Sequence, residues 1–189
     1  MDYSKFFMQA PRLNSKKTIA LLRGEMFAEF IDTIAKDESL DLEYRAFLIC
    51  AVSAGLRVEE ALSLTRESFE VDGEVLQFKV KVLKKRREET RWCFVHPMGK
   101  AVVERVLKEK IGKLFNWTQC TALNRAKKFF PVEGICSHSW RHSAVSYFLF
   151  HENFSIAETA KFIHVTTDII DHYSHLDERK LFKKMFKQA

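Results

Sequence analysis

Along most of this chain the apolar residues recur at helical spacing, and in one stretch they switch to alternation; that change of period decides what the chain can fold into. Ile19, Leu22, Met26, Phe27, Phe30, Ile31 and Ile34 repeat with a helical period, which predicts a first helix over residues 15–36. Asp41 is placed to cap a second helix running through Phe47 to Ala54, and Gly55 to stop it. Val58 to Leu64 reads as a short third helix. The period then changes. Phe69 and Val71 precede Asp72-Gly73, a tight-turn pair, and Val75, Leu76, Phe78, Val80 and Val82 form an alternating stretch. A basic run leads into Arg91-Trp92-Cys93-Phe94-Val95-His96, closed by Pro97. Three antiparallel strands are expected, with the positive charge on their second hairpin. Beyond them the helical period returns over residues 99–110, 118–130, 137–151, 155–162 and 166–172, with Ser155 and Glu158 spaced as a capping box. The expected fold is mainly α with a small three-stranded antiparallel β-sheet, an α+β class. Residues 1–15 read as an irregular arm, 16–175 as the body, and 176–189 as a tail helix. That tail carries an apolar stripe of Leu181, Phe182, Met185 and Phe186.

A chain of 189 residues, 47% of them hydrophobic, is long enough to bury a substantial core. No apolar run approaches the roughly 20 residues that cross a bilayer, and residues 1–17 lack the apolar core of a signal peptide, so an intracellular protein is expected. Four cysteines, Cys50, Cys93, Cys120 and Cys136, are scattered without a close pair. That spacing suits ordinary thiols, not a zinc site. The net charge of +6 suits a polyanionic partner. Its distribution is more telling, with Lys79, Lys81, Lys84, Lys85, Arg86, Arg87 and Arg91 crowded around one hairpin. A solvated hairpin tip is the bland alternative.

Six of the seven histidines follow residue 137. His138 and Arg141 stand at i, i+3 and share a helix face. His164 and Tyr173 follow, and far upstream Arg57 sits at a helix start with Glu60 three positions on. Singly, each has an ordinary structural reading. Together they resemble the tyrosine recombinase (phage-integrase) family. Ala54-Gly55-Leu56-Arg57-Val58-Glu59-Glu60 is similar to its first arginine box. Leu83-Lys84-Lys85-Arg86-Arg87 is similar to its lysine hairpin. His138-Ser139-Trp140-Arg141-His142-Ser143 is similar to its central box, and Asp171-His172-Tyr173-Ser174-His175 to its nucleophile box. Ile163-His164 stands where the family often has Gly-His, and the bulkier residue alters the local turn. The resemblance spans Glu43 to Leu176.

The resemblance implies a catalytic domain that breaks and rejoins double-stranded DNA through a 3′-phosphotyrosyl intermediate on Tyr173. Displacement at phosphorus builds charge on the non-bridging oxygens, which Arg57 and Arg141 would clamp, with hydrogen bonds from His138 or His164. A phenol of ordinary pKa near 10 needs activation, which a positive cluster and a histidine supply. The family gives protonation of the leaving 5′-oxygen to the hairpin lysine, Lys84 or, next to it, Lys85. Glu60 would orient Arg57 or simply pair with it. Lys81, Arg86, Arg87 and Arg91 would contact DNA. Because the phosphotyrosine keeps the bond energy, no cofactor, ATP or metal is implied.

In the family a C-terminal helix commonly docks into a neighbouring protomer, so a homo-tetramer assembled on DNA through the tail is expected, with folding back on its own core as the alternative. Many members carry an N-terminal DNA-clamping domain, and only some 40 residues precede the match here, so a catalytic-domain piece or a short recombinase is expected. Integration, excision, resolution and mobile-element transfer all fit. A type IB topoisomerase, a non-catalytic DNA-binding protein on the same fold and a metal-dependent nuclease are the competing functions.

Overall fold

The N-terminal residues pair as a β-hairpin, β1 (Phe7–Pro11) against β2 (Thr18–Leu22), with Phe7 opposite Leu22 and Ala10 opposite Ile19. The structure, a computed structural model, describes residues 2–11, 18–82, 89–165 and 167. The hairpin overturns two expectations. Residues 7–11 are not an irregular arm, and the first helix, α1 (Phe27–Lys36), begins well after residue 15. Beyond exposed Thr18, β2 is buried on both faces. Ile19 and Leu21 pack with Ala10 and Cys136, while Ala20 and Leu22 join the main core. A strand covered on both sides shows no alternation, so its apolar run merges with the helical pattern that follows.

Helix α2 (Leu42–Ser53) lies at the centre. Every residue from Tyr44 to Ser53 is buried, as expected of a helix packed all round. Asp41 caps it by accepting from the Tyr44 N–H at 2.8 Å, as the sequence predicts. Around it stand α1, α4 (Lys100–Glu109) and α6 (Ser139–Phe150), with α3 (Val58–Leu62), α5 (Gln119–Phe129) and α7 (Ile156–Ile163) completing the helical part. Phe6, Phe7, Phe30, Phe130 and Trp140 form a continuous aromatic cluster that ties the N-terminal hairpin to α1 and α6.

The expected sheet is present. It comprises β3 (Phe69–Asp72), β4 (Val75–Lys81) and β5 (Thr90–Phe94), antiparallel in that order, with Phe78 opposite Phe69 and Cys93. Leu76, Phe78 and Val80 point inward from β4, and Arg91 and Cys93 from β5. The Val82 N–H donates to the Glu89 carbonyl at 2.8 Å, beyond the last paired residues of β4 and β5. Ser155 and Glu158 form the expected capping box at the start of α7. The helix expected over residues 166–172 and the tail lie outside the described residues, apart from Thr167.

The hairpin β1–β2 also holds the start of α6. The Ala20 N–H donates to the Gly134 carbonyl at 3.2 Å, and the Leu22 N–H to Ser143 Oγ at 2.8 Å. Gly134 has φ +82°, and a Cβ there would come within 3.0 Å of the Ala20 backbone nitrogen, so the close approach requires glycine. The expected arm is therefore the support on which the loop before His138 rests.

Candidate active site

Three segments distant in sequence meet at one buried carboxylate. Helix α2 ends at Gly55, whose φ of +58° turns the chain sharply into Arg57, the residue preceding α3. A Cβ on Gly55 would lie 3.0 Å from both Ala144 Cβ and Ile163 Cδ1, so α6 and α7 close directly over this turn. Glu60, 1% exposed, points back from α3. Its Oε2 accepts from the Arg57 backbone N–H at 2.9 Å, and its Oε1 accepts from Arg57 Nη1 at 2.9 Å. One side chain thus caps its own helix and holds the arginine in front of it.

Arg141 reaches the same carboxylate from α6. Its Nη2 donates to Glu60 Oε2 at 2.6 Å and its Nε to the Gly55 carbonyl at 2.9 Å. Trp140, anchored in the aromatic cluster, fixes the rotation of α6 that turns Arg141 toward Glu60. A third guanidinium arrives from β5. Arg91 Nη2 lies 3.9 Å from Glu60 Oε2 and donates to the Ala54 carbonyl at 3.1 Å, while Nη1 donates to the Phe162 carbonyl at 2.9 Å. Arg91 is only 7% exposed. The sequence groups it with the DNA-contacting residues of the basic run; the structure places it in the interior, bonded to two backbone carbonyls. The signal was present in the strand alternation, because Arg91 shares a face with Cys93 while Trp92 points outward.

Three guanidiniums facing one carboxylate leave two positive charges in excess within the cluster. Burial, opposed by Glu60 and reinforced by repulsion from Arg57 and Arg91, brings the Arg141 pKa down to about 10, so it stays protonated at neutral pH. Arg57 Nε, Arg91 Nε and Arg141 Nη1 are buried without a hydrogen-bond partner among the described residues. Buried donors seldom stay unpaired, and an excess of charge beside such donors is what an anion-binding site offers.

The two histidines flank this cluster. His138 precedes α6, one turn before Arg141, and its Nδ1 is 3.1 Å from Ser137 Oγ. His164 follows α7 in the left-handed conformation, φ +57°, which a non-glycine residue rarely adopts. Its Nε2 lies 2.9 Å from Glu89 Oε2. Glu89, in sequence only an acidic residue beside the basic run, thus ties the residue preceding β5 to the histidine. Ile163 is fully buried against Gly55, which gives the bulky residue a packing role at the turn. Lys81 is exposed on β4. Lys84, Lys85, Arg86, Arg87 and Tyr173 lie outside the described residues.

Cys136 was read as an ordinary thiol. Burial raises its pKa, but hydrogen bonding to the side chain and backbone of His138 and to Ser139 outweighs that and brings it down to about 7. No three His, Cys, Asp or Glu side chains gather to hold a metal among the described residues, and no helix there is long and apolar enough to cross a membrane.

No family model matches the sequence, and no curated protein matches it. Solved structures do match its fold. XerA recombinase superposes with a TM-score of 0.67 at 15% identity, covering 95% of this chain and 66% of that one. XerH site-specific recombinase, in a post-cleavage complex with palindromic difH substrate, gives 0.65 at 20% identity, covering 86% of this chain and 50% of XerH. The catalytic domain of bacteriophage HP1 integrase gives 0.56 at 20% identity, with 88% and 94% covered. The chain therefore has the fold of a tyrosine recombinase catalytic domain. It spans about half the length of the XerH chain it matches.

Proposed function

We propose that this chain is the catalytic domain of a site-specific DNA recombinase that cuts and rejoins duplex DNA through Tyr173. The observation that carries the reading is the buried cluster, in which Arg57 and Arg141 are fixed by one carboxylate, carry excess positive charge and retain unpaired donors. A scissile phosphate bears the charge and acceptor oxygens such a cluster lacks. His138 stands one turn before Arg141, and His164 follows Ile163, which packs on Gly55; in this reading either donates to the phosphate or takes the phenol proton. In the proposed step the Tyr173 oxygen attacks phosphorus, the bond to the 5′-oxygen breaks, and Lys84 or Lys85 supplies the proton that makes the 5′-hydroxyl. The phosphate remains as a 3′-phosphotyrosine, and attack by a 5′-hydroxyl reverses the step. No ATP or metal enters it. Lys81, Arg86 and Arg87 would bind the DNA backbone around the hairpin, and the tail helix would join protomers in a tetramer on DNA. The XerH complex with difH DNA supports DNA as substrate for this fold.

The test is a duplex containing a nick close to the cleavage site, so that the cut strand diffuses away and the covalent complex is trapped. Wild-type protein should give a DNA-linked band on a denaturing gel, with or without chelator, and Tyr173→Phe should not. An adduct that survives in Tyr173→Phe, or none with any DNA tried, overturns the reading.

A further inference from the structure

We propose that Arg91 is a positioning residue that sets the placement of His164 and Arg57 together; its catalytic consequence rests on the function proposed above. Its guanidinium spans two backbone carbonyls from opposite parts of the chain. Ala54 lies in the turn that delivers Arg57, and Phe162 in the last turn of α7, two residues before His164. The two bonds, 3.1 and 2.9 Å, fasten the end of α7 to the turn after α2. The planar fork of arginine is suited to this, since both donors are held in one plane at a fixed spacing, which the single ammonium of lysine does not reproduce.

Three further features place this fastening at the site and not merely in the core. First, the same guanidinium lies 3.9 Å from Glu60, the carboxylate that holds Arg57 and Arg141, so it balances that charge from the third side. Second, the Phe162 side chain is already packed, with ring centroids 5.2 Å from Phe94 and 4.6 Å from Phe148. The helix body therefore has its own anchors, and the carbonyl bond acts where the backbone departs toward His164. Third, His164 stands at φ +57°, a conformation that persists only where its surroundings impose it. The flanking restraints are the Arg91 bond to Phe162, the packing of Ile163 against Gly55 and the bond to Glu89. Arg91 lies in β5 and Glu89 just precedes it, two residues away, so this short segment grips both the end of α7 just before the histidine and the histidine itself.

The experiment compares Arg91→Lys, which keeps the charge beside Glu60, with Arg91→Gln, which keeps one donor and removes it. Each is made alone and with His164→Ala. In single-turnover cleavage of the nicked duplex, Arg91→Lys should lower the rate constant about a hundredfold, the order expected when catalytic groups shift by about an ångström. DNA affinity should change by less than about threefold. The loss should be smaller in the His164→Ala background, because one of the two residues it positions is already gone and only the effect through Arg57 remains. Independently of cleavage, the His164 imidazole resonance, assigned by its disappearance in His164→Ala, should move in Arg91→Lys. If wild type forms no adduct, the recombinase reading fails while the resonance still tests the fastening. An unmoved His164 signal, a cleavage loss of the same size in the His164→Ala background, or a fall in DNA affinity matching the fall in rate would overturn the proposal. Loss of the whole fold in both variants would assign Arg91 to stability and overturn it too.

Discussion

Glu60 carries more of this site than any other single side chain. It accepts from the backbone N–H of the residue preceding its own helix and from two arginine side chains, and it faces a third. A buried charge stripped of its partner is costly, so Glu60→Gln, which keeps the shape and removes the charge, should destabilise the fold by about 3–5 kcal/mol. Urea denaturation checks this, and a loss below about 1 kcal/mol would show that the arginines reach solvent when released. Cys136 gives a second prediction. With the thiol held at about 7 by His138 and Ser139 despite its burial, its alkylation by iodoacetamide should reach half its plateau rate near pH 7. His138→Ala should move that midpoint up toward the ordinary value. The linkage has the same sign as a carboxylate's. The folded pKa is depressed, so the contribution to stability is full above the unfolded value of 9.0 and is lost as pH falls through about 7. Mass spectrometry separates Cys136 from exposed Cys120, and a midpoint at the ordinary value would refute the His138 contact. Residues of this kind differ in how readily a sequence discloses them. Arg57, Glu60 and Arg141 were legible because their spacing matches a known pattern, and the structure brings the three together. The burial of Arg91 is hidden in the sequence because its charge merges with the neighbouring basic run. Glu89 was passed over because its partner, His164, is 75 residues away in sequence.

Elements were legible where local chemistry defines their ends. Asp41 and Gly55 bound α2, and Ser155 with Glu158 starts α7, all within one turn of chain. The sheet was legible from Asp72-Gly73 and the alternation of β4. The N-terminal hairpin was not, because nothing local marks β2 as a strand; its identity depends on pairing with β1 and on the core that covers both its faces. That correction carries a prediction. Phe7 is 4% exposed and its ring meets Phe30, Phe130 and Trp140. Phe7→Ala should therefore cost about 3–5 kcal/mol, the range for truncating a buried aromatic, whereas a residue on a free arm would cost almost nothing. Because β2 is bonded to Ser143 and to Gly134, the loss should reach the start of α6, which carries Arg141, as well as the hairpin. Native-state hydrogen exchange should show faster exchange at the start of α6 in this variant. Unchanged protection there would separate the hairpin from the site.

At the scale of the whole molecule, the site is a meeting point of segments that fold far apart in sequence. Arg57 follows α2, Arg91 comes from β5, Arg141 from α6 and His164 from the end of α7. Bringing three guanidiniums to one buried carboxylate opposes folding, first through the burial of charge and then through mutual repulsion, and the depressed pKa of Arg141 reflects both. The rest of the structure must supply the stability that this concentration of charge removes. An anion entering the cluster would cancel the excess charge and satisfy the unpaired donors, and so should stabilise the whole fold. At ten times its dissociation constant, bound phosphate adds about 1.4 kcal/mol, or roughly 3–5 °C in melting temperature for a chain of this size. Phosphate also stabilises proteins generally by exclusion from their surfaces, so the informative quantity is a difference. Thermal melts in phosphate and in chloride at equal ionic strength should show a larger phosphate shift for wild type than for Arg57→Ala. Short duplex DNA should reproduce the difference at far lower concentration, with an effect that fades steeply as salt rises. Equal phosphate shifts in the two proteins would mean that Glu60 and the backbone carbonyls hold the three arginines in place without offering a seat to an anion.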